Sequence, residues 1–169
     1  MAPAVQAGRL PGEDVNELSD LIAPEAIAPK LAATSRRQAL QLMAEMLAKS
    51  AGVDARAAFE AVLMRERLSG TGMGEGVAIP HAAVKGVTRP IGAFARLEVP
   101  QDFDALDGRP ADLVFMLISP VDRGGDHLKA LARVSRFFRR ADMREKLRAA
   151  RGVDGLYALF AGTLRSDAA

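Results

Sequence analysis

The sequence has 169 residues, 26% of them charged and 49% apolar, with 23 basic against 21 acidic side chains, two histidines and no cysteine or tryptophan. One domain of this length buries roughly two-thirds of the surface its unfolded chain exposes, so neither disulfide nor metal is needed to hold it together. The missing cysteine excludes disulfides, thiolate metal sites and cysteine catalysis, the longest uncharged stretch (Gly155–Leu164, ten residues) is about half a membrane span, and a net charge of +2 demands no nucleic acid.

Residues 1–17 mix small, proline, glycine and acidic residues without periodicity and read as a flexible tail. Arg9, Pro11, Glu13 and Asp14 interrupt any secretory-signal layout, so a cytoplasmic location is expected. The domain is expected over 18–165, followed by a short tail at 166–169. A first helix is predicted from Ser35, as its cap, to Lys49, with Leu40, Met43 and Leu47 at helical spacing and Met46 widening the stripe; Gly52 stops it. Asp54 caps a second helix carrying Ala58, Val62 and Leu63 or Met64 as apolar positions, with Arg65, Glu66 and Arg67 as a charged last turn.

Four glycines in eight residues, Ser69 to Gly76, are too many for a helix or a strand interior, so this segment is predicted as a loop of unusual backbone geometry. Val77–Ile79 follows as a short apolar strand ended by Pro80, and His81 comes next. A strand is predicted at Ile91–Leu97, a turn at Asp107-Gly108, and a central buried strand at Asp112–Ser119, apolar on both faces. Pro120 and the polar stretch Asp122–Asp126 lead to a helix from about His127 to Arg140, and two short helices at Met143–Ala150 and Val153–Thr163 close the chain. The fold class is therefore α/β (α+β): a single domain with a mixed β-sheet flanked by helices on both faces.

Imidazole chemistry near neutral pH must fall on His81 or His127. His81 leaves a strand end, where open sheets place reactive groups, although by position alone it is equally an ordinary surface histidine. His127 opens a helix whose apolar positions include Leu131 and Val134, so its ring is expected beneath the helix; a histidine merely packed at a helix start fits the same pattern. Closely spaced glycines and a helix start at Asp126 or His127 offer N–H donors for an anion. Arg65 adds a cation, unless it is only a solvated helix end. No nucleotide-binding glycine motif is present. Two histidines forty-six residues apart, without an HExxH arrangement, make a poor metal site, so no metal or other cofactor is expected.

The run from Arg65 through Gly70-Thr71-Gly72 to Val77-Ala-Ile-Pro-His81 resembles the active-site signature of the type 2 IIA domains of the phosphoenolpyruvate-dependent phosphotransferase system. Phe103 to Asp112 resembles the family's turn and strand entry, and His127-Leu-Lys-Ala-Leu131 falls where the family carries its second histidine. The resemblance covers about Leu18 to Leu164 and looks closest to the nitrogen-regulatory class. It implies that His81 accepts a phosphoryl group from an HPr-like phosphohistidine carrier protein, attacking through Nε2 while a backbone carbonyl fixes Nδ1. It further implies that His127 hydrogen-bonds the phosphoryl oxygens, Arg65 offsets their charge, and Thr71 is a weaker candidate donor. The regulated targets stay open, and neither nucleic acid nor membrane insertion is implied.

Two positions depart from the family pattern: Ala82 stands where glycine is usual, and Gly70 where serine is usual. The Ala82 methyl is expected to restrict the backbone and trim partner contacts. Three functions remain open: a phosphocarrier whose state regulates other proteins, a IIA component passing phosphate to a separate sugar-permease IIB domain, and a regulatory binding module that transfers none. With no cysteine here to serve as a IIB acceptor, any onward acceptor is expected on another protein. Eight basic residues between Arg133 and Arg151 read as a solvated helix face or a surface for an acidic partner.

Overall fold

The computed structural model describes residues 18–162. The tails expected at 1–17 and 166–169 lie outside the described residues. In chain order the elements are β1 (Ile22–Leu31), α1 (Arg36–Ala51), α2 (Ala55–Leu68), β2 (Gly72–Gly74), β3 (Val77–Ala78), β4 (His81–Ala83), β5 (Ile91–Gln101), β6 (Ala111–Ser119), α3 (Gly124–Arg139), α4 (Ala141–Ala149) and α5 (Gly152–Ala161).

The sheet runs β1-β5-β6-β3-β2, with β4 also paired to β6. β5 and β6 are antiparallel, β1 runs parallel to β5, and both β3 and β4 run parallel to β6, so the sheet is mixed as expected. β6 is its centre, and every residue of it but Asp112 is buried.

Helices cover both faces. Phe94 of β5 and Phe115 of β6 sit opposite one another, and both rings pack against Phe138 of α3 and Phe160 of α5, with centroids 5.0–6.1 Å apart. Gly92 keeps that face open: a β-carbon there would press on the Phe115 ring. α1 lies over β1 and β5, and α2 over β4, on the other face. Leu40, Met43 and Leu47 of α1 are fully buried, each worth roughly 1.5–3 kcal/mol of apolar burial. The predicted caps hold: Ser35 accepts from Gln38 N–H, Asp54 accepts from the N–H groups of Arg56 and Ala57, and Gly52 closes α1 in the left-handed region.

Four elements differ from the sequence reading. β1 was not foreseen, because Pro24 and Pro29 interrupt its pattern; an edge strand tolerates them, since only one of its sides joins the ladder. The glycine-rich segment is not simply a loop, for Gly72–Gly74 pairs with Val77–Ala78 as a small antiparallel hairpin. Its turn residues Glu75 and Gly76 both have positive φ, 58° and 78°, as a tight hairpin turn matched to strand twist requires. His81 does not end the strand run but starts the short strand β4. α3 begins at Gly124, three residues before the expected start.

Candidate functional site

The run beside β6 that carries β3 and β4 is broken once. β3 pairs with Leu113 and Val114, β4 with Leu117 to Ser119, and between them Ile79 and Pro80 step out of the ladder. Proline has no N–H to give, yet its carbonyl still accepts from Leu117 N–H at 2.9 Å, so the break is local. The step leaves the Ile79 carbonyl free to meet the His81 ring, whose Nδ1 lies 2.7 Å from that oxygen. A carbonyl only accepts, so Nδ1 carries the proton and a neutral ring keeps its lone pair on Nε2.

Register decides which way His81 faces. It lies beside Leu117 and Ala83 lies beside Ser119. Leu117 shares its face with Phe115, two residues earlier, so His81 and Ser119 belong to the face covered by α3 and α5. α3 rises from this end of β6, and its first turn brings His127 over the strand. The two imidazole centroids stand 5.6 Å apart with rings inclined by 42°. The sequence reading therefore placed the His127 ring on the correct side of its helix. It misplaced the helix start, and one consequence follows: His127 N–H is bonded to Arg123 O and is not a free donor.

Both histidines are half-buried, and their pKa values lie below that of ordinary imidazole. Loss of solvent is the main cause for each. At His81 the Ile79 hydrogen bond works in the opposite direction, while the positive charge of Arg65 and the neighbouring His127 add to the lowering. Arg65, in the last turn of α2, is thus within electrostatic reach of His81. Its own Nη1 donates to Ser69 O at 2.7 Å, closing the end of the helix.

Thr71 is tied up differently from the expectation. Its N–H donates to Glu66 Oε2 at 2.9 Å and its hydroxyl to Glu66 Oε1 at 2.7 Å. Its carbonyl accepts from Ile79 N–H at 3.1 Å, linking it to the residue that holds the His81 ring. Two further N–H groups of the glycine-rich segment are already taken: Gly72 N–H donates to Phe103 O and Glu75 N–H to Asp107 Oδ2.

Glu66 is the residue that sequence reasoning passed over. It is 3% exposed, carries both Thr71 bonds, and lies 3.6 Å from Arg36 Nη1, which also binds Asp104 at 2.9 Å. Its signal was spacing: Ala58, Val62 and Glu66 recur every four residues and form the buried stripe of α2. The Ala82 methyl does not face a partner surface. Ala82 alternates with His81, is 9% exposed and joins the core. Among the described residues no cluster of three or more His, Cys, Asp or Glu side chains could hold a metal, and no helix is long and apolar enough to cross a membrane.

Comparison with known proteins shows the family to which the chain belongs. The family model described as phosphoenolpyruvate-dependent sugar phosphotransferase system, EIIA 2, matches residues 20–162. The chain is 48% identical over 144 residues to a nitrogen regulatory protein of Bradyrhizobium diazoefficiens, covering 85% of this chain and 94% of that one. It is 38% identical over 135 residues to a fructose-specific EIIA component of Haloferax volcanii, covering 79% and 88%. Among solved structures, the nitrogen regulatory protein IIA-Ntr of Neisseria meningitidis superposes with a TM-score of 0.78 at 30% identity, over 84% of this chain and 97% of the other.

Proposed function

Because the chain belongs to the EIIA 2 family of the phosphoenolpyruvate-dependent sugar phosphotransferase system, we propose that it is a cytoplasmic, nitrogen-regulatory phosphocarrier that takes a phosphoryl group onto His81 from an HPr-like phosphohistidine carrier protein. Its phosphorylation state then sets its action on target proteins. The observation that carries this reading is the Nδ1–H of His81 held by the Ile79 carbonyl, which leaves a lone pair on Nε2, beside a second imidazole whose centroid is 5.6 Å away.

In the transfer, Nε2 of His81 attacks phosphorus and the P–N bond of the donor breaks, its electron pair returning to the donor ring. The His81 ring becomes cationic, and the Ile79 carbonyl stabilises the proton on Nδ1. No separate base is required, since burial already keeps the ring neutral. Phosphoryl transfer depends mainly on alignment and charge neutralisation. His127 serves as a donor to the phosphoryl oxygens and Arg65 offsets their charge. Thr71, whose hydroxyl is given to Glu66, serves chiefly by fixing the segment that leads to Ile79 and His81.

Names of relatives support the regulatory branch, with the nitrogen regulatory protein at 48% identity. A second reading, a IIA component that hands phosphate to a separate sugar-permease IIB domain, is favoured by the fructose-specific relative at 38%. The test is incubation of purified protein with the general phosphotransferase proteins and phosphoenolpyruvate. An acid-labile, base-stable phosphate is expected, absent in His81→Ala and present in His127→Ala, which passes it on poorly. Label retained by His81→Ala and lost by His127→Ala reverses the two roles. Regulation and sugar supply separate on whether the phosphate moves on to a IIB cysteine.

A further inference from the structure

Ser119 is the last residue of β6, fully buried, and its side-chain oxygen lies 2.7 Å from Nδ1 of His127. Position and sequence both prepare this contact. Ser119 shares its face with His81, two residues away along the same ladder, and α3 starts five residues after it, so the first helical turn carries His127 above it. The Ser119 carbonyl is occupied elsewhere, accepting from Val84 N–H at 2.8 Å. What a buried serine hydroxyl adjacent to an imidazole does depends on which of the two donates.

Two arrangements satisfy the distance. If Nδ1 of His127 held the proton, Ser119 would be the acceptor and its own hydroxyl proton would need another acceptor inside the core. The contact that the structure gives this oxygen is Nδ1 itself. If Ser119 donates, the hydroxyl proton is satisfied, Nδ1 accepts, and a neutral ring carries its single proton on Nε2. The second arrangement leaves no buried donor unpaired and is the one that physical bookkeeping of hydrogen bonds prefers.

We infer that Ser119 is a positioning residue: its hydroxyl donates to Nδ1 of His127 and fixes that ring as the Nε2–H tautomer, a donor toward the His81 side. The use of that donor rests on the phosphoryl-acceptor reading of His81. The two facing rings then hold opposite tautomers. At His81 a carbonyl that only accepts puts the proton on Nδ1 and exposes an Nε2 lone pair, which makes a nucleophile. At His127 a hydroxyl that donates puts the proton on Nε2, which makes a hydrogen-bond donor for an incoming phosphoryl oxygen. Two neutral imidazoles of the same chemistry are thereby assigned different tasks by the single atom behind each. Ser119 acts only through His127, because its burial bars it from the phosphoryl group.

The test starts without phosphate. Protein labelled with 15N in its histidines reports each tautomer through the ring nitrogen shifts at mildly alkaline pH. Expected are Nδ1–H for His81 and Nε2–H for His127 in the native sequence, loss of the His127 preference in Ser119→Ala, and its recovery in Ser119→Thr, with His81 unchanged throughout. Phosphoryl acceptance from the carrier protein is then expected to slow roughly three- to tenfold in Ser119→Ala, the factor of one lost hydrogen bond, and to recover in Ser119→Thr. An Nδ1–H tautomer for His127 in the native protein, or the same tautomer and rate in Ser119→Ala, overturns the inference. If the native protein takes no label at all, the acceptor reading fails, while the tautomer measurement still decides whether Ser119 sets the ring.

Discussion

Nδ1 of His81 lies 2.7 Å from the carbonyl oxygen of Ile79, two residues earlier in the same chain. This bond and the burial of the ring act oppositely on its protonation, and burial outweighs the bond, with Arg65 and His127 adding to the lowering from 6.5. In the proposed function, neutral His81 is the attacking form. The half-maximal rate of phosphoryl acceptance is therefore expected below pH 6.5, which initial rates across the range will show. A half-maximal rate at or above 6.5 contradicts it. Stability follows the same shift: between the lowered pKa and 6.5 the unfolded chain binds more protons than the folded one, so stability drops as the pH falls through that window.

Arg65 depresses the His81 pKa by its charge, and its guanidinium also closes α2 on Ser69 O. Arg65→Gln removes the charge, and its shorter amide also gives up the bond to Ser69 O. The His81 pKa is expected to rise in a proton NMR titration, and the rate of phosphoryl acceptance to fall roughly ten- to a hundredfold as an electrostatic partner of the transferring group is lost. An unchanged titration places Arg65 outside the site.

Much of this is legible in the sequence. Periodicity and caps located α1 and α2, because Ser35, Gly52 and Asp54 act through local hydrogen bonds that the sequence alone specifies. β6 was legible because a strand buried on both faces is apolar at nearly every position. β1 was hidden by two prolines whose cost depends on which side of the strand joins the sheet, a tertiary fact. The same limit applied at the site. His81, His127 and Arg65 stood out by type and order, but the partners that set their protonation, the Ile79 carbonyl and the Ser119 hydroxyl, are ordinary residues until the fold aligns them. Glu66 was passed over because a charge in a helix's last turn is usually solvated, while here its stripe turns it inward.

Gly70 stands where the resemblance leads one to expect serine, and its surroundings leave no room for a side chain. A β-carbon at Gly70 would overlap the Phe103 carbonyl oxygen and crowd Asp104. Asp104 itself has a φ of 59° and is fixed by Arg36 on one side and by the Asp102 carboxylate on the other. The neighbour is backbone and cannot swing aside. Gly70→Ser is expected to destabilise the protein by about 1–3 kcal/mol, the range for overpacking, read as a lowered urea midpoint. A neutral or stabilising effect means the 102–105 segment yields more easily than its bonds suggest.

Glu66 gives the protein a pH dependence of the opposite sign to that of the histidines. Burial raises its pKa above 4.5, against the two Thr71 bonds and the charges of Arg36 and Arg65. Between 4.5 and the raised value the folded chain binds more protons than the unfolded one, so stability falls as the pH rises through that window. Glu66→Gln removes the charge but keeps an oxygen for Thr71 N–H and an amide for its hydroxyl, and is expected to flatten this part of the profile. Glu66→Ala leaves both Thr71 groups without their partner and is expected to cost about 2–3 kcal/mol at neutral pH. Urea midpoints at mildly acidic and mildly alkaline pH compare the three proteins. Because Thr71 O receives Ile79 N–H, the alanine variant is also expected to accept phosphate more slowly, with the glutamine variant close to the native rate. Equal loss of stability and rate in both variants would show that the charge of Glu66, rather than its two hydrogen bonds, holds the segment before His81.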